Sequence, residues 1–340
     1  MLKKISIAID AMGGDNSPDK TIEGIRIFLD KNKSNTDFTL NVFGKEEILK
    51  DKFSQLNINN NSINIINSNT VVSDEETPMT AVKNSKNTSM WNCIQHQLEG
   101  KSDISLSAGN TGVLLVISRM ILKMMNEVSK PALAGLWPNK NGMNVVLDLG
   151  ANIECNDQNL IDFAELGSAL FKSLFPNKKP KVALLNVGSE EMKGTEMLKS
   201  ASKKLKELSS DDNFIFDGYI EGNNIMSGNS NVIVTDGFTG NIALKTAEGT
   251  AKFITSNLKK SLNKFSLLFS FFPLKRFKEK LDPRKYNGAI FLGLNGPVVK
   301  SHGGIDAMGF YHSIDLCYKI IKGDLMNEIK KNLKHSKSGQ

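Results

Sequence analysis

The sequence predicts a single α/β domain in which a mainly parallel β-sheet is covered by helices on both faces. Its 340 residues are 40% hydrophobic and 23% charged, which is ordinary for a globular protein and excludes a disordered or fibrous chain. Short β-branched runs alternate with stretches of helical periodicity, which is the pattern of βαβ units. No linker interrupts this alternation, so we expect one domain over residues 1–340.

Each predicted strand ends in a turn rich in Gly, Asn, Asp or Ser. The first run, Ile5–Asp10, leads into Gly13 and Gly14, and Pro18 follows where the first turn of a helix tolerates proline. The later runs cover residues 104–107, 145–148, 182–186, 232–236 and 289–294.

These six turns predict where the protein binds a ligand. Ligands of parallel sheets bind at the carboxyl ends of the strands, so we expect the turns to line one crevice along a single sheet edge. A Gly-rich turn before a helix directs backbone N–H groups and the positive end of the helix dipole at an anion. Tight turns also need glycine for conformational reasons alone, but six of them together favour an anion-binding crevice.

Several common chemistries find no support in the sequence. No G-x-G-x-x-G follows the first strand, and neither a G-x-x-x-x-G-K-[ST] loop nor a G-x-S-x-G turn occurs. The four histidines lack metal-ligand spacing, and Cys93, Cys155 and Cys317 lie far apart, as expected of thiols in a reducing cytoplasm. We therefore expect no side-chain nucleophile and no metal, and no apolar run is long enough to span a membrane.

The Gly-rich turns carry sequence blocks that resemble the bacterial phosphate acyltransferases of the PlsX type. The blocks follow the order of that family from residue 5 to about residue 320. They read IDAMGGD at 9–15, SAGNTG at 107–112, PALA at 131–134, LDLGAN at 147–152, LNVG at 185–188, KG at 193–194, DGFTGN at 236–241 and GPVVKSHG at 296–303.

The resemblance implies that inorganic phosphate attacks the thioester of an acyl carrier protein and gives an acyl phosphate for phospholipid synthesis. It also implies a three-layer αβα sandwich of the isocitrate dehydrogenase type and a homodimer associated peripherally with the inner face of the cell membrane. No cofactor and no metal are implied. The residue pattern agrees with this chemistry, because phosphate is itself the nucleophile and the protein has only to position it and stabilise an oxyanion.

Residues of the matched turns are the candidates for this site. For the chemical step we expect Asn110 to donate an amide hydrogen bond and Lys193 to balance the phosphate charge. Asp236 could accept a proton or orient a lysine, and His302 could protonate the departing thiolate. Capping of a turn is the structural alternative for Asp236, and packing is the alternative for His302. The substrate-binding candidates are Gly13, Gly14, Thr111, Gly112, Asn152, Asn186 and Lys245.

The chain departs from the family pattern at a few positions. The family usually has arginines between the equivalents of Thr77 and Met90, where this chain has only Lys83 and Lys86. Lysine keeps the charge but loses the bidentate fork of arginine, which argues against an anion clamp in this segment. Asn287 replaces a usual glycine.

A basic amphipathic segment accounts for the net charge of +7. Residues 257–285 contain nine Lys or Arg and two acidic residues, and their apolar positions have helical spacing with a break at Pro273. We expect a protruding helical hairpin that binds an anionic membrane surface through its short apolar tip, while its base takes part in dimerisation. The tip residues are Leu267, Leu268, Phe271 and Phe272.

Three rival functions stay open at this stage. A phosphate acyltransferase could use coenzyme A thioesters, a decarboxylating dehydrogenase could share the sheet, and a non-catalytic module could bind a carrier protein or a membrane. The chain has only four arginines, which counts against the dehydrogenase, and the intact turns count against the non-catalytic module. No nucleic-acid partner is expected, because the basic segment lacks a reading motif.

Overall fold

A computed structural model describes residues 4–73, 76–209, 213–261 and 282–338. Eleven strands form one sheet. They are β1 (Ile5–Asp10), β2 (Phe38–Gly44), β3 (Ile63–Asn67), β4 (Ile104–Ser107), β5 (Ala132–Asn139), β6 (Gly142–Leu147), β7 (Lys181–Leu185), β8 (Ile215–Ile220), β9 (Val232–Val234), β10 (Ala289–Leu292) and β11 (Val298–Lys300). Their order across the sheet is β3-β2-β1-β4-β11-β10-β5-β6-β9-β7-β8. Each of the six runs predicted from the sequence forms a strand.

Helices alternate with most of these strands. They are α1 (Asp19–Lys31), α2 (Glu46–Gln55), α3 (Pro78–Asn84), α4 (Ser89–Leu98), α5 (Thr111–Leu122), α6 (Asp157–Leu174), α7 (Glu196–Leu208), α8 (Gly237–Ser261), α9 (Ala307–Lys322) and α10 (Leu325–Ser338). Two short 3₁₀ helices cover Gly222–Ser227 and Pro283–Tyr286.

The helices form a layer on each face of the sheet. Strand side chains alternate between the faces, so that Ile7 and Ile9 join one buried cluster and Ala8 joins another. Helices α1, α6, α9 and α10 pack into the first cluster, while α4, α5 and α8 pack on the opposite face. The predicted three-layer αβα architecture with a mainly parallel sheet is confirmed.

The direction of the strands changes in the middle of the sheet. Among the described strands, seven of the ten pairings are parallel, and the three antiparallel ones (β11–β10, β10–β5 and β5–β6) are adjacent. An odd number of reversals leaves β6, β9, β7 and β8 running opposite to β1, β4 and β11. The two groups of strands therefore end at opposite sides of the sheet. We call the side where β1, β4 and β11 end the β1 edge. The side where β6, β9, β7 and β8 end is the β6 edge.

The expectation that all six turns share one edge is therefore wrong. The turns after β1 and β4 lie at the β1 edge together with the turn after β11, whereas the turns after β6, β7, β9 and β10 lie at the β6 edge. The reasons are the antiparallel pairing of β10 with β5 and two short connections. Only Lys140 and Asn141 separate β5 from β6, and residues 293–297 separate β10 from β11. A parallel crossover needs a dozen or more residues, so both connections are hairpins.

Helix α8 leads into the predicted helical hairpin. Its 25 residues end at Ser261, and the chain is described again from residue 282. The predicted membrane-binding residues Leu267, Leu268, Phe271 and Phe272 lie outside the described residues. No helix in the described ranges is long and apolar enough to cross a membrane.

Helix α6 carries a buried carboxyl group. The Asp162 residue is 4% exposed and accepts hydrogen bonds from Gln158 Nε2 (2.9 Å) and from the Ser129 backbone. Burial raises the pKa of Asp162 to about 6 from its ordinary value of 3.8. Folding therefore favours the protonated form of this side chain.

We predict that Asp162→Asn reduces the loss of stability at rising pH. Because the pKa is raised in the folded state, the folded wild type binds more protons than the unfolded wild type between pH 4 and pH 6. Its free energy of unfolding therefore falls by roughly 2–3 kcal/mol as the pH rises across that window. Asparagine stays neutral and avoids this loss. Urea unfolding at pH 4.5 and 7.5 measures the effect, with the exposed Asp51→Asn as control. Equal pH dependence in wild type and Asp162→Asn would contradict the prediction.

Candidate active site

Asp10 fixes the turn at the carboxyl end of β1. It is 1% exposed, and its carboxylate accepts hydrogen bonds from the Met12 N–H (3.2 Å) and from Ser107 Oγ (2.7 Å). Ser107 Oγ in turn accepts from the Gly109 N–H (3.1 Å). Burial raises the pKa of Asp10, and these hydrogen bonds oppose that effect. One carboxylate thus joins the turns after β1 and β4.

Gly13 and Gly14 let the β1 turn approach two other turns closely. A Cβ atom at Gly13 would lie 2.6 Å from the Gly109 nitrogen. Gly14 has a φ of +79°, and a Cβ atom there would lie 2.8 Å from the Ala108 oxygen and 3.0 Å from the Gly303 oxygen. Position 14 therefore requires glycine for both its conformation and its contacts. We call this meeting point of Gly13–Gly14, Ala108–Gly109 and Gly303 the Gly14 junction.

Two buried lysines reach the Gly14 junction from different elements. Lys20, in the first turn of α1, is 6% exposed and donates from Nζ to the Gly303 oxygen. Lys300, at the end of β11, is 9% exposed and donates to the oxygens of Ala108 (3.4 Å) and Ser301. Neither lysine is among the site residues predicted from the sequence. The sequence pattern that could have identified Lys300 is a lysine at the end of an apolar strand. The sequence around Lys20 has no comparable pattern.

The turn after β4 holds the start of α5. Asn110 Oδ1 accepts hydrogen bonds from the N–H groups of Gly112 (2.9 Å) and Val113 (3.1 Å), so it caps the helix. The Gly112 N–H predicted to bind the anion is therefore engaged by this cap. Of the Asn110 side chain, only the amide nitrogen can donate to a ligand. Thr111 beside it is exposed.

His302 lies in the turn after β11, next to the Gly14 junction. Its Nδ1 accepts a hydrogen bond from the Gly304 N–H (3.1 Å), which selects the neutral tautomer with the proton on Nε2. Partial burial lowers the pKa of His302, and the positive charges of Lys300 and Lys245 act in the same direction, whereas Glu248 opposes them. The charge of Lys245 on α8 thus acts on His302, and the role of Lys245 in substrate binding stays a prediction. Lys245 also pairs with Glu248 (2.9 Å).

Asn287 supports the turn that carries His302. Its Oδ1 accepts from the His302 N–H (3.1 Å), and its Nδ2 donates to Ser301 Oγ (2.8 Å), the Gly309 oxygen (3.0 Å) and Ser313 Oγ (2.8 Å). The residue is 9% exposed. The asparagine that stands where the resembling family has glycine therefore ties the His302 turn to α9.

The predicted residue Asn152 belongs to a different cluster, at the β6 edge. Its Nδ2 donates to the Pro131 oxygen (2.6 Å) and to Asp148 Oδ2 (2.7 Å), and its backbone oxygen accepts from the Gly237 N–H (2.8 Å). Burial raises the pKa of Asp148. These contacts brace the turn after β6 against the start of α8.

The other predicted β6-edge residues also make local contacts. Asn186 Nδ2 donates to the Lys193 backbone oxygen (3.2 Å), which closes the loop after β7. The Lys193 ammonium is exposed, 3.9 Å from Glu190. Asp236 accepts from the N–H and the Oγ1 of Thr239, both at 2.8 Å, and so caps α8. The structure gives Asp236 the capping role, and its role as proton acceptor stays a prediction.

The segment where the family usually has arginines lies beside the β1 edge. Lys83 on α3 and Lys86 in the following turn are both exposed. Helix α3 covers the start of α5, since Pro78 would lie 3.0 Å from a Cβ atom at Gly112. Within the described ranges, no group of three or more His, Cys, Asp or Glu side chains could hold a metal ion.

We predict that Asn287→Ala lowers the free energy of unfolding by about 2–4 kcal/mol, because it leaves several buried donors and acceptors without a partner. Urea unfolding measures the change, and Asn229→Ala, at an exposed position, is the matched control. A loss below about 0.5 kcal/mol would show that the His302 turn is held by other contacts.

Sequence comparisons place the chain beside proteins of known activity. The model of a family described as fatty acid synthesis protein matches residues 5–328. A phosphate acyltransferase of Pelagibacter ubique (strain HTCC1062) is 54% identical over 338 residues, covering 98% of this chain and 100% of that protein. A phosphate acyltransferase of Azorhizobium caulinodans is 41% identical over 339 residues, covering 98% of this chain and 94% of that one.

Solved structures with a similar fold carry related names. The EutD phosphotransacetylase from Staphylococcus aureus has a TM-score of 0.62 and 16% identity, with 94% of both chains covered. A phosphotransacetylase from Streptococcus pyogenes has a TM-score of 0.62 and 17% identity, with 96% of this chain and 94% of that chain covered. At these identities the similarity concerns the fold.

Proposed function

The chain belongs to the fatty acid synthesis protein family and is an acyltransferase like its phosphate acyltransferase relatives, and we propose that it transfers the acyl chain of an acyl carrier protein thioester to inorganic phosphate. The resemblance to the PlsX type, based on the Gly-rich turns, is confirmed by relatives that match nearly the whole chain. The carrier protein and the acyl phosphate product belong to the proposal.

The reaction needs no nucleophile from the protein. A phosphate oxygen attacks the thioester carbonyl carbon, and the carbonyl oxygen becomes an oxyanion. The C–S bond then breaks, and the electron pair leaves with the sulfur. The proton of hydrogen phosphate ends on the thiolate, so the products are an acyl phosphate dianion and a free thiol. Holding phosphate and carbonyl in attacking geometry is the largest contribution that a protein can make here.

The Gly14 junction is the single observation that carries this proposal. Three backbone turns pack closely there, and the buried ammonium group of Lys300 borders them. A small tetrahedral anion that binds beside these turns is attracted by this positive charge. Gly13 and Gly14 therefore retain their predicted role in phosphate binding, with Thr111 and Gly112 at the adjacent start of α5.

His302 and Asn110 fit the stabilisation of the oxyanion. With Nδ1 engaged by the Gly304 N–H, His302 presents a neutral ring with a proton on Nε2, and a neutral imidazole donates hydrogen bonds but protonates a thiolate poorly. We therefore assign His302 to the oxyanion rather than to the leaving thiolate. The amide nitrogen of Asn110 is the second donor.

The β6-edge candidates require a substrate or a second subunit that reaches both edges. Four of them follow strands that run opposite to β1: Asn152 follows β6, Asn186 and Lys193 follow β7, and Asp236 follows β9. Lys245 differs, because its charge already acts on His302 from α8. We keep Lys193 and Asp236 as proposed catalytic residues only for an assembly in which the β6 edge faces the thioester.

We predict phosphate-dependent formation of acyl phosphate from an acyl carrier protein thioester, trapped as hydroxamate with hydroxylamine. His302→Ala and Asn110→Ala should each lower turnover about 10- to 1,000-fold, as removal of oxyanion donors does, with unchanged circular dichroism. Because the pKa of His302 is lowered, protonation of this ring should reduce activity only below the ordinary histidine value of 6.5 when the dianion concentration of phosphate is held constant. Reactions without phosphate and with coenzyme A thioester are the controls.

Three results would contradict this assignment. Full activity of both variants removes His302 and Asn110 from the reaction. Faster turnover of the coenzyme A thioester than of the carrier thioester favours the alternative substrate. No hydroxamate from either thioester removes the proposed reaction.

We propose further that the protein is a homodimer. Helix α8 leaves large apolar side chains uncovered along one face, where Phe238, Ile242 and Phe253 are 56%, 50% and 69% exposed. Their spacing puts them on a single side of the helix. A second copy of the chain covers such a face by presenting the same surface, so Phe253→Glu should halve the mass measured by light scattering.

The segment that follows α8 is proposed to bind anionic lipid. The basic segment 257–285, which begins in the last turn of α8, combines nine basic residues with an apolar run that contains Phe271 and Phe272. We predict that Phe271→Asp with Phe272→Asp abolishes flotation with anionic vesicles, because burying two carboxylates in lipid is costly, while the soluble acyltransferase activity persists. Vesicles of neutral lipid are the control, and undiminished flotation would exclude the tip as the membrane contact.

A further inference from the structure

The hydrogen bond between Asn287 and His302 has a consequence for the reaction as well as for stability. His302 is exposed, so packing in the core does not hold its ring in place. Its backbone N–H donates to Asn287 Oδ1 (3.1 Å), and its Nδ1 accepts from the Gly304 N–H (3.1 Å). The second contact lies within one turn, whereas the first connects that turn to a distant part of the chain.

The side-chain amide of Asn287 has a fixed orientation. Its Nδ2 donates to the Gly309 oxygen (3.0 Å) and to the hydroxyl groups of Ser301 and Ser313, both at 2.8 Å. A carbonyl oxygen can only accept a hydrogen bond, so the contact with Gly309 requires the nitrogen end of the amide to face α9. The oxygen end is thereby directed at the His302 N–H.

The backbone of Asn287 is connected to the same end of α9. Its N–H donates to the Arg284 oxygen (3.2 Å), and the Arg284 guanidinium donates to Asp306 Oδ2 (3.0 Å). Asp306 also caps α9, because its Oδ1 accepts from the Gly309 N–H (2.9 Å). The His302 turn is therefore attached to a residue that is held to α9 through both its backbone and its side chain.

On this basis, and resting on the proposed role of His302 in acyl transfer, we propose that Asn287 is a positioning residue that holds His302 with its Nε2 proton directed at the oxyanion. A hydrogen-bond donor stabilises an oxyanion effectively only when its geometry is fixed before the charge develops. A displacement of about 1 Å can lower a reaction rate about 100-fold. The bond to the His302 N–H opposes such a displacement of the turn.

The charges around the His302 ring are independent of Asn287. Those that act on the ring are Lys300 on β11 and Lys245, Glu248 and Lys252 on α8. The Asp15 carboxylate lies beside the same turn, 3.2 Å from the place of a Cβ atom at Gly304. A neutral substitution at Asn287 keeps all of these groups, so a change in the titration of His302 reports a change in the position of its ring.

Asn287→Ala tests the proposal through turnover. The rate constant kcat should fall about 10- to 100-fold, because the ring is displaced, while the Michaelis constants for phosphate and thioester stay at their wild-type values. The oxyanion exists only in the transition state, so its loss appears in kcat. Asn287→Asp keeps an acceptor for the His302 N–H and should recover part of the turnover.

Asn295→Ala is the matched control. Asn295 lies in the connection between β10 and β11, at the end of this hairpin opposite to His302. Its Nδ2 donates to the backbone oxygens of Leu122 (3.1 Å) and Met124 (3.0 Å), so its amide also braces a turn. This variant should keep the turnover of wild type.

Nuclear magnetic resonance of histidine labelled with ¹⁵N gives a second readout that needs no turnover. The chain has four histidines, and His302→Ala assigns the signals of that ring. Wild type and Asn295→Ala should show His302 with its proton on Nε2. In Asn287→Ala both tautomers should appear, and the pKa of His302 should rise toward 6.5, because the ring gains contact with solvent.

The two readouts separate this proposal from the proposed reaction. If wild type forms no acyl phosphate, the reaction fails, while the tautomer of His302 still decides the role of Asn287. A lower melting temperature of Asn287→Ala with the wild-type tautomer and kcat would overturn the proposal and leave Asn287 a structural residue. Should Asn287→Ala not fold, Asn287→Ser takes its place in both assays, since its hydroxyl ends one bond short of Oδ1.

Discussion

The arrangement of this protein depends on three adjacent antiparallel strand pairings in the middle of an otherwise parallel sheet. Because their number is odd, the two halves of the sheet present the carboxyl ends of their strands at opposite edges. The glycine-rich turns, which look alike in the sequence, are thereby divided between two sites. The turns that meet at Gly14 form a junction of backbone and buried cations, and those at the β6 edge brace one another through asparagine side chains.

The strands and the layered architecture could be predicted from the sequence because they rest on local patterns. Runs such as Ile5–Asp10 and Val232–Val234 are β-branched, and the helices between them have their own periodicity and caps. The two-residue connection at Lys140 and Asn141 also carries the signal of a hairpin, so the reversal of strand direction was available from connection length. The composition of the turns alone does not predict the reversal, because a Gly/Asn-rich turn has the same composition at either edge.

The candidate site was predictable only in part, since it is assembled from contacts between distant segments. Gly13 and Gly14 stand out as a pair after the first strand, whereas Lys20 and Lys300 are 280 positions apart and become neighbours only when β1, β4 and β11 align. The capping roles of Asn110 and Asp236, by contrast, are local. Both side chains sit before a helix, and their oxygens satisfy backbone N–H groups that the helix itself cannot.

Helix α8 connects the β6 edge with the basic segment. Its 25 residues extend about 37 Å, from the Asp236 cap at the β6 edge, past Lys245, to the first residues of the basic segment 257–285. Ala243, Leu244 and Ala247 pack against the sheet, so the first half of α8 is held by the core. The Lys245 charge, which acts on the His302 ring, therefore keeps its place whatever the basic segment binds at the far end of the helix.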